Sequence, residues 1–396
     1  MKPLRVAMYV HSLNPRGGVV HALSIAEAIQ SLGHHVEIVA PAAPGQRLFR
    51  STTAPIRVFP AGPVTGDLRS LIRQRVPEYI AAIRSRGNAF DIHHAHDGMS
   101  GFALAQLRGA GEIAAMARTV HHLDQFDDRY LTDAQDESVR AADLLFCVSR
   151  LWAHRLGADY QREAVIVHNG VDMRRFSPKP LDDDCSRCES VAGRLTGPTF
   201  LAVGGVERRK NTLAILQAFS LASATLPSSA RLIIAGGASL LDHSVYRRDF
   251  DACLESLPNK ESVRIIGPVE DDTLPPLYRR ATALVFPSLV EGFGLAVLEA
   301  MASGTPVIAS RLPPFTEYLC DTDALLVDPL NPQEIAAAMT LLCDSPAAAA
   351  DYRSRGLAVA ARFSWQTSAA QHLDAYTRLV SGGENARNAI CSSLAG

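Results

Sequence analysis

The sequence predicts an α/β chain made of two doubly wound domains, and three observations support this class. Short apolar runs alternate with helical stretches, which implies parallel sheets covered by helices on both faces. The runs form two series, and a stretch rich in Pro, Gly, Asp and Ser separates them. At 396 residues the chain also exceeds what one hydrophobic core usually serves.

Each series predicts its own parallel sheet. The first predicts strands at residues 4–10, 35–40, 56–59, 91–96, 116–121, 144–149 and 164–168. The second predicts strands at residues 200–206, 231–235, 263–267, 283–286, 306–309 and 324–327. Residues 179–198 lack apolar periodicity and predict a linker. The predicted layout is a first domain at 1–178, the linker at 179–198, a second domain at 199–364 and a C-terminal helix with a frayed tail at 365–396.

Composition and charge exclude several classes of protein. The formal charge of -2 argues against a nucleic-acid binder, which normally has a basic excess. No apolar run approaches the ~18 residues of a membrane span, and the N-terminus runs into a strand without the features of a signal peptide, so we expect a cytoplasmic protein. Seven scattered cysteines form no disulfide framework, and the lone C-x-x-C pair of Cys185 and Cys188 is weak evidence for zinc.

In doubly wound sheets, ligands bind beyond the carboxyl ends of the strands, so two facing domains would share a cleft. Gly17 and Gly18 follow the first predicted strand and precede a helix. Paired glycines either let a ligand approach the backbone closely or merely begin the helix. The loop has no G-x-G-x-x-G pattern, and no acidic residue ends the second strand, which counts against an NAD enzyme.

Histidines end two further strands of the first domain. Strand alternation places His94 and His96 on one face, a spacing that metals sometimes use. The segment lacks a dense ligand set, and strand-end histidines more often form hydrogen bonds, so we expect no metal. His121 follows the next strand, and we expect it to face the cleft and to exchange a proton near neutral pH.

Basic residues cluster after the first strand of the second domain. Arg209 and Lys210 lie there, although the chain has only four lysines. Cations at the start of a helix oppose its dipole by ~0.3–1 kcal/mol, so an anionic ligand such as a diphosphate explains them better than a solvated helix start does.

Two carboxylates flank a glycine-rich loop that begins a later helix. The loop runs through Glu291, Gly292, Phe293, Gly294 and Leu295, and Glu299 follows within the helix. Unpaired backbone N–H groups at a helix start suit a phosphate, whereas carboxylates accept hydrogen bonds from hydroxyl groups. A ligand that offers both is a nucleotide or a nucleotide sugar. The alternative is a surface turn with solvated glutamates.

In this order, the motifs resemble the retaining glycosyltransferases of family 4, the group 1 nucleotide-sugar transferases with the GT-B fold. The resemblance covers nearly the whole chain, and its details are similar to a bacterial subfamily found beside nitrilase-type gene clusters. It implies two Rossmann-like domains that face each other across a cleft, the first on the acceptor side and the second binding the nucleotide sugar. The matching residues are Gly17 to Val19, 33–36, 91–96, 119–121, Asn169 to Asp172 with Phe176, Arg209 with Lys210, and 291–307.

The resemblance also implies a role for each candidate residue. The amides of Gly17 and Gly18 would approach the donor diphosphate, which Arg209 and Lys210 would bind. Glu299 would bind the ribose hydroxyls and Glu291 those of the donor sugar. His121 would contact the transferred sugar. The donor-binding loop, Gly292 with the amides of Phe293, Gly294 and Leu295, would complete the contacts.

The implied reaction is transfer of a hexose from an NDP-sugar to a hydroxyl of unknown identity, with retention and with neither a cofactor nor a metal. Relatives have an arginine where this chain has Gly205, so Arg208 or Arg209 must supply that charge. A sugar phosphorylase, a nucleotide-sugar epimerase and an inactive sugar-nucleotide binding protein stay open as alternatives. The D-x-D at Asp321 and Asp323 predicts a turn. The arginine-rich stretch 67–86 predicts either a basic amphipathic helix near the acceptor or a membrane surface, or an ordinary half-buried helix.

Overall fold

The computed structural model describes residues 2–87, 89–237 and 243–382, so the predicted frayed tail lies almost wholly outside the described residues. The chain divides into two units. The first extends to Gly170 and also includes the chain from Trp365 onward, and the second is Val171–Ser364. Among the described residues, no helix has both the length and the apolar character that crossing a bilayer requires.

The first unit is built on a seven-stranded parallel sheet in the order β3-β2-β1-β4-β5-β6-β7. Its strands are β1 (Arg5–Tyr9), β2 (His35–Ala42), β3 (Ile56–Pro60), β4 (Ile92–Ala95), β5 (Met116–Val120), β6 (Leu144–Cys147) and β7 (Val165–Ile166). The central strands are buried along their whole length, because helices cover both faces of a parallel sheet and the strand sequences are apolar.

Five helices of this unit precede the boundary between the units. They are α1 (Gly17–Ser31), α2 (Leu68–Arg84), α3 (Gly98–Gly109), α4 (Arg129–Arg140) and α5 (Arg150–Tyr160). Aspartates begin three of them, because the side chains of Asp67, Asp97 and Asp128 accept hydrogen bonds from backbone N–H groups in the first turn. The core between sheet and helices includes Tyr79 and Trp152, both fully buried.

The second unit contains a six-stranded parallel sheet in the order β10-β9-β8-β11-β12-β13. Its strands are β8 (Thr199–Val203), β9 (Arg231–Ala235), β10 (Val263–Gly267), β11 (Ala283–Phe286), β12 (Val307–Ser310) and β13 (Leu325–Val327). Its helices are α6 (Asp184–Ala192), α7 (Thr212–Ala222), α8 (Ser244–Ser256), α9 (Leu274–Arg280), α10 (Leu295–Ala302), α11 (Pro332–Asp344) and α12 (Pro346–Ala360). Phe200, Phe219 and Ile335 lie in its core.

The final helix, α13 (Trp365–Ser381), packs against α1 in the first unit. Its buried side chains include Trp365, His372 and Tyr376. The two sheets confirm the predicted α/β class with two doubly wound domains, and each predicted strand overlaps an observed one.

Two segments show what sequence patterns left out or left open. Residues 179–198, for which we predicted only a linker, contain helix α6, and Asp184 on it forms a buried ion pair with Arg279 at 2.6 Å. Helix α2 buries an apolar face, and the arginines of this stretch are mostly engaged within the unit, as Arg69 is with Asp128 at 3.1 Å. This is the packing of a half-buried helix, the second interpretation of that stretch.

Candidate functional site

The candidate residues of the second unit lie where the strand order of its sheet reverses. Strands β9 and β10 extend from one side of β8, and β11, β12 and β13 extend from the other. Ligands of doubly wound sheets bind at such a reversal, beyond the carboxyl ends of the strands. The loop after β8 carries Arg209 and Lys210, and the loop after β11 carries Glu291. Topology therefore brings together residues that are 81 positions apart in the chain.

These side chains form a compact group of alternating charge. Lys210 Nζ lies 2.5 Å from Glu291 Oε1, and Arg209 Nη1 lies 3.4 Å from the same oxygen. Arg209 Nε also lies 3.1 Å from Oε2 of Glu207, a carboxylate with a buried side chain. The ammonium of Lys210 is 4.5 Å from the centre of the Phe286 ring, a distance suited to a cation–π contact. We name these residues, Glu207, Arg209, Lys210 and Glu291, the charged cluster.

Burial and charge act against each other in this cluster. Burial alone would raise the pKa of Glu291, but the charges of Lys210 and Arg209 and the hydrogen bonds to it outweigh burial, so its pKa is lowered. Burial lowers the pKa of Lys210, and Glu291 offsets part of that change. Each charged form is thus stabilised by the other.

The structure distinguishes the two arginines that precede Lys210. Arg209 belongs to the charged cluster, whereas Arg208 is exposed and lines a separate cavity together with Tyr246 and Leu330. Of these two arginines, only Arg209 is placed to assist Lys210 with an anion.

A close backbone contact explains why no side chain occupies position 205. Gly205 has a φ of +75°, and a Cβ atom there would lie 2.8 Å from the carbonyl carbon of Gly237. An arginine at this position would require the loops after β8 and β9 to separate. The backbone conformation therefore accounts for the glycine at position 205, where the family pattern has an arginine.

Helix α10 begins next to the charged cluster. Gly294 precedes it with a φ of +98°, and no side chain caps the helix. A Cβ atom on Gly294 would lie 2.6 Å from the ring of Phe315, so glycine is required here on two grounds. Phe293 is buried and stacks on Tyr318 with ring centres 4.8 Å apart, and the Tyr318 hydroxyl donates to the Phe293 carbonyl. These contacts fix the loop while its backbone N–H groups at the helix start carry no side-chain cap.

Glu299 lies on the same helix with different partners. The hydroxyl of Tyr278 donates to Glu299 Oε2 over 2.9 Å. Burial raises the pKa of Glu299, and the charge of Arg175 opposes that shift. Arg175 is itself paired with Asp271 at 2.7 Å. The sequence patterns did not point to Tyr278 and Arg175, because neither belongs to a motif and only the fold brings them to Glu299.

In the first unit, the candidate residues also gather where the strand order reverses, between β1 and β4. Gly17 and Gly18 begin α1 after β1, and His121 follows β5. A Cβ atom on Gly18 would lie 3.2 Å from Cδ2 of His121, whereas nothing lies within 4 Å of one on Gly17. Gly18 therefore permits the close approach of α1 to the imidazole, and Gly17 faces open space.

Three imidazoles converge beside this glycine. One ring nitrogen from each of His21, His96 and His121 lies within 4.8 Å of the other two. Burial lowers the pKa of His21 to about 3, and burial with neighbouring imidazoles lowers the pKa of His96 and His121 well below the usual range. His121 is thus neutral near pH 7, contrary to our expectation that it exchanges a proton in that range.

His94 and His96 lie on one face of the sheet, as strand alternation predicts, with ring centres 4.2 Å apart. Both nitrogens of His94 have partners, since Nδ1 lies 2.5 Å from the Tyr376 hydroxyl and Nε2 lies 2.8 Å from Thr119 Oγ1. His94 therefore holds α13 against the sheet. Neither ring nitrogen of His94 is therefore left over to bind a metal together with His96.

Asn169, one of the residues that carry the family resemblance, contacts this cluster directly. His21 Nδ1 donates to Asn169 Oδ1 over 2.8 Å, and both residues are buried. Because they are 148 positions apart, no local pattern in the sequence indicates this contact. The turn predicted at Asp321 and Asp323 is observed.

Two family models match the chain. The model described as Glycosyltransferase Family 4 matches residues 15–175. The model described as Glycosyl transferases group 1 matches residues 190–358. The first match includes Gly17 and Gly18 and the three converging histidines, which we name the histidine cluster. The second includes the charged cluster and α10.

Curated relatives match over most of their length. D-inositol 3-phosphate glycosyltransferase 2 of Catenulispora acidiphila is 30% identical, and the alignment covers 92% of this chain and 90% of the relative. D-inositol 3-phosphate glycosyltransferase of Xylanimonas cellulosilytica is 29% identical, with 91% and 92% covered. Phosphatidyl-myo-inositol mannosyltransferase of Mycolicibacterium smegmatis is 28% identical, with 96% and 95% covered.

Solved structures share the fold at low sequence identity. Sucrose-phosphate synthase from Thermosynechococcus elongatus matches with a TM-score of 0.80 and 21% identity, covering 96% of this chain and all of that one. Anabaena Alr3699/HepE in complex with UDP and glucose matches with a TM-score of 0.75 and 18% identity, covering 94% and 99%. The predicted fold is thereby confirmed, and the chain belongs to the group 1 glycosyltransferases with the GT-B fold.

Proposed function

We propose that this protein transfers a hexose from an NDP-sugar to a hydroxyl acceptor, with retention at the anomeric carbon and without a divalent metal. Family membership supports glycosyl transfer. The HepE structure supports a nucleotide-sugar donor, since it was solved with UDP and glucose. The relatives named for D-inositol 3-phosphate and phosphatidyl-myo-inositol support a polyol or lipid-linked polyol as acceptor.

The observation that carries this proposal is the charged cluster at the carboxyl ends of β8 and β11. Its formal charge is close to neutral in the free protein, because Arg209 and Lys210 face Glu207 and Glu291. A diphosphate that reached the cations would compete with Glu291 for them. Glu291 would then be released toward sugar hydroxyls, which are suitable donors to a carboxylate. One cluster thus serves both the leaving group and the transferred sugar.

Catalysis would rest on stabilising the diphosphate as it departs. The glycosidic C–O bond to the diphosphate breaks and negative charge grows on the leaving oxygen. Arg209 and Lys210 would stabilise that charge. The departing phosphate accepts the proton of the acceptor hydroxyl as the new C–O bond forms on the same face. No second carboxylate with the placement of a nucleophile was evident in the sequence, which favours this route over a covalent intermediate.

Two binding contacts complete the proposal. Glu299 would accept hydrogen bonds from the ribose hydroxyls, in part exchanging its bond from Tyr278 for them. The neutral His121 would exchange hydrogen bonds with the transferred sugar and would not act as an acid or base. The assignment to the subfamily found beside nitrilase-type gene clusters stays a prediction.

A matched set of variants tests the proposal. Arg209→Ala or Lys210→Ala should lower turnover by about 10²–10³, the usual effect of removing one stabilising donor. Arg208→Ala removes the same kind of charge one position away and should leave turnover nearly unchanged. Equal losses in Arg209→Ala and Arg208→Ala would contradict the assignment.

The substrates are best sought by thermal shift, because a ligand that binds the folded state stabilises it by RT ln(1 + [L]/Kd). Nucleoside diphosphates and their sugars should raise Tm in wild type and less in Arg209→Ala. Transfer is then measured with the selected donor and polyol acceptors, including inositol 3-phosphate. Release of sugar 1-phosphate on addition of phosphate would indicate a phosphorylase, and conversion of the donor without acceptor would indicate an epimerase. Donor binding with no turnover would indicate an inactive binding protein.

A further inference from the structure

The cluster of His21, His96 and His121 brings three imidazoles together from three separate elements of the first unit. His21 comes from α1, His96 follows β4 and His121 follows β5. In the described part of the chain, this is the one group of three or more His, Cys, Asp or Glu side chains whose ligand atoms lie close enough together, within 4.8 Å, to be candidates for a metal site. Each element is fixed by the sheet, so the convergence does not depend on a loose loop.

Hydrogen bonding within the protein leaves this cluster incomplete. His96 is 3% exposed, and neither of its ring nitrogens has a hydrogen-bond partner. The Nε2 atoms of His21 and His121 are also buried without a partner. A buried polar atom without a partner costs about 1–3 kcal/mol, and such atoms are rare in folded proteins. Four such atoms on three adjoining rings indicate that something else binds there, and one nitrogen of each ring lies within reach of the other two.

The protonation of His21 is set by a neighbour in the way that metal ligands usually require. Its Nδ1 donates to Asn169 Oδ1 over 2.8 Å, so the proton lies on Nδ1. Nε2 therefore carries the lone pair of this ring and has no partner. Metal-binding histidines almost always have such a partner on the second nitrogen.

The other imidazoles nearby do not join the group. His94 has partners on both nitrogens. His372 Nε2 is also buried without a partner, but its ring lies 5.9 Å from that of His21, and His372 is not among the residues whose ligand atoms lie within 4.8 Å of one another. The number of protein ligands is therefore three, which leaves room for a fourth ligand from solvent or substrate, as in zinc sites with three protein ligands.

The spacing separates two kinds of occupant. Nitrogens around a tetrahedral zinc ion, at bond lengths of about 2.05 Å, lie about 3.3 Å apart. Nitrogens that share one water at about 2.8 Å lie about 4.6 Å apart. The observed separations, up to 4.8 Å, fit a water and would need each ring to move inward by under about 1 Å to hold a metal. A single water can satisfy all three nitrogens only if one ring presents its N–H, whereas a metal accepts a lone pair from each.

We infer that His21, His96 and His121 bind a divalent transition metal of the zinc class, with small inward rotations of the three rings. Neutral imidazoles are preferred ligands of zinc, copper and nickel, and magnesium and calcium prefer oxygen ligands. The site should therefore select against magnesium and calcium.

Cobalt titration of the full chain tests this inference, because Co²⁺ replaces zinc and gives visible absorption that reports its ligands. The exposed thiols are first blocked by alkylation, since Cys185 and Cys320 are exposed and would compete for the metal. The expected result is one Co²⁺ per chain with d–d bands of a four- or five-coordinate nitrogen site and no thiolate band. Zinc should displace the cobalt, and magnesium should not.

Variants then assign the bands to the three imidazoles. His21→Asn and His96→Asn should abolish stoichiometric binding. Asn169→Ala should weaken binding 10–100-fold, as removal of an outer partner usually does. His122→Asn is the matched control, since His122 is the adjacent exposed imidazole and lies 3.6 Å from Asp124, and it should bind as wild type does. Thermal unfolding without metal confirms that each variant is folded, and the added metal should raise Tm in wild type but not in His96→Asn.

Three outcomes would overturn the inference. They are absence of stoichiometric binding, which would leave a hydrogen-bonded water only; binding that survives both His21→Asn and His96→Asn; and a thiolate band that persists after alkylation. An activity measurement separates this inference from the proposed function, on which it does not rest. Zinc on His121 Nε2 would exclude the proposed sugar contact, so zinc should inhibit transfer and a chelator should restore it. Zinc binding without inhibition would uphold the site and contradict the proposed role of His121.

Discussion

Replacement of Lys210 by methionine should destabilise the second unit and should do so more at high pH than at low pH. The Lys210 and Glu291 side chains are 12% and 9% exposed, so the variant leaves a carboxylate that is almost buried. Breaking a fully buried pair costs about 3–5 kcal/mol. Arg209 still lies 3.4 Å from the carboxylate, and the carboxyl can take up a proton, so we expect about 2–3 kcal/mol. For a unit of this size, Tm should fall by about 5–10 °C.

The dependence on pH follows from the direction of each shift. In wild type the pKa of Glu291 is lowered, so its contribution to stability is present above the ordinary value near 4.5 and is lost as pH falls through the lowered one. Without Lys210, burial dominates and should raise the pKa of Glu291. The variant then loses stability as pH rises through that raised value. The difference in unfolding free energy between wild type and Lys210→Met should therefore grow from pH 5 to pH 8.

Urea unfolding at several pH values measures this difference, and two comparisons isolate its cause. Lys260 and Glu255 form an ion pair of 2.6 Å with 43% and 71% exposure, so Lys260→Met should cost under about 0.5 kcal/mol. The double variant Lys210→Met with Glu291→Gln removes the buried charge and should return to within about 1 kcal/mol of wild type, yet stay inactive. A loss in Lys210→Met that is the same at pH 5 and pH 8, or that the double variant does not relieve, would refute the reasoning.

Three further predictions concern single positions. Gly18→Ala should lower transfer at least tenfold and Tm slightly, because its Cβ would press on an imidazole ring at 3.2 Å, whereas Gly17→Ala, with nothing within 4 Å, should keep wild-type stability in thermal unfolding. Gly205→Ala should cost more than Gly267→Ala in urea unfolding; both have a positive φ and share its strain of about 1 kcal/mol, but only the first brings a Cβ within 2.8 Å of backbone. Glu299→Gln should lose donor binding in thermal shift yet be at least as stable as wild type at pH 8. Burial raises the pKa of the Glu299 carboxyl, so the stability that this carboxyl contributes is full below about 4.5 and is lost as pH rises through the raised value. A difference in stability between Glu299→Gln and wild type that is the same at pH 5 and pH 8 would contradict this.

The fold was predictable because its signal is local. Each strand of a covered parallel sheet must be apolar along its length, as β6 is, and each such run is visible in the sequence without knowledge of its partners. Helix α6 escaped prediction for the complementary reason. It is short, it lies among Pro and Gly, and its buried contact between Asp184 and Arg279 joins residues that are 95 positions apart.

The candidate site divides in the same way. The sequence pointed to Glu291, Arg209 and Lys210 as candidate residues because they lie in motifs that follow strands. Glu207 is one residue from the same motif and was missed. An acidic residue beside three successive basic residues nevertheless indicates an ion pair with one of them, as Glu207 forms with Arg209. The contact of His21 with Asn169 had no such signal, because neither residue is unusual in its own segment and α1 meets the end of β7 only in the folded unit.

Glu291 in the charged cluster stays ionised, whereas the rings of the histidine cluster, His21, His96 and His121, stay neutral, although both groups are buried. In the charged cluster, burial of Glu291 is outweighed by two cations, so the carboxylate stays charged and forms ion pairs with both of them. In the histidine cluster, no carboxylate is among the groups that shift the pKa of His96 or His121, so burial prevails and the rings stay neutral. A charged cluster favours an ionic ligand that can replace one of its members. A neutral cluster with unused lone pairs favours hydroxyl groups or a metal ion. The kind of ligand that each cluster can bind thus depends on whether a group of opposite charge is buried beside it.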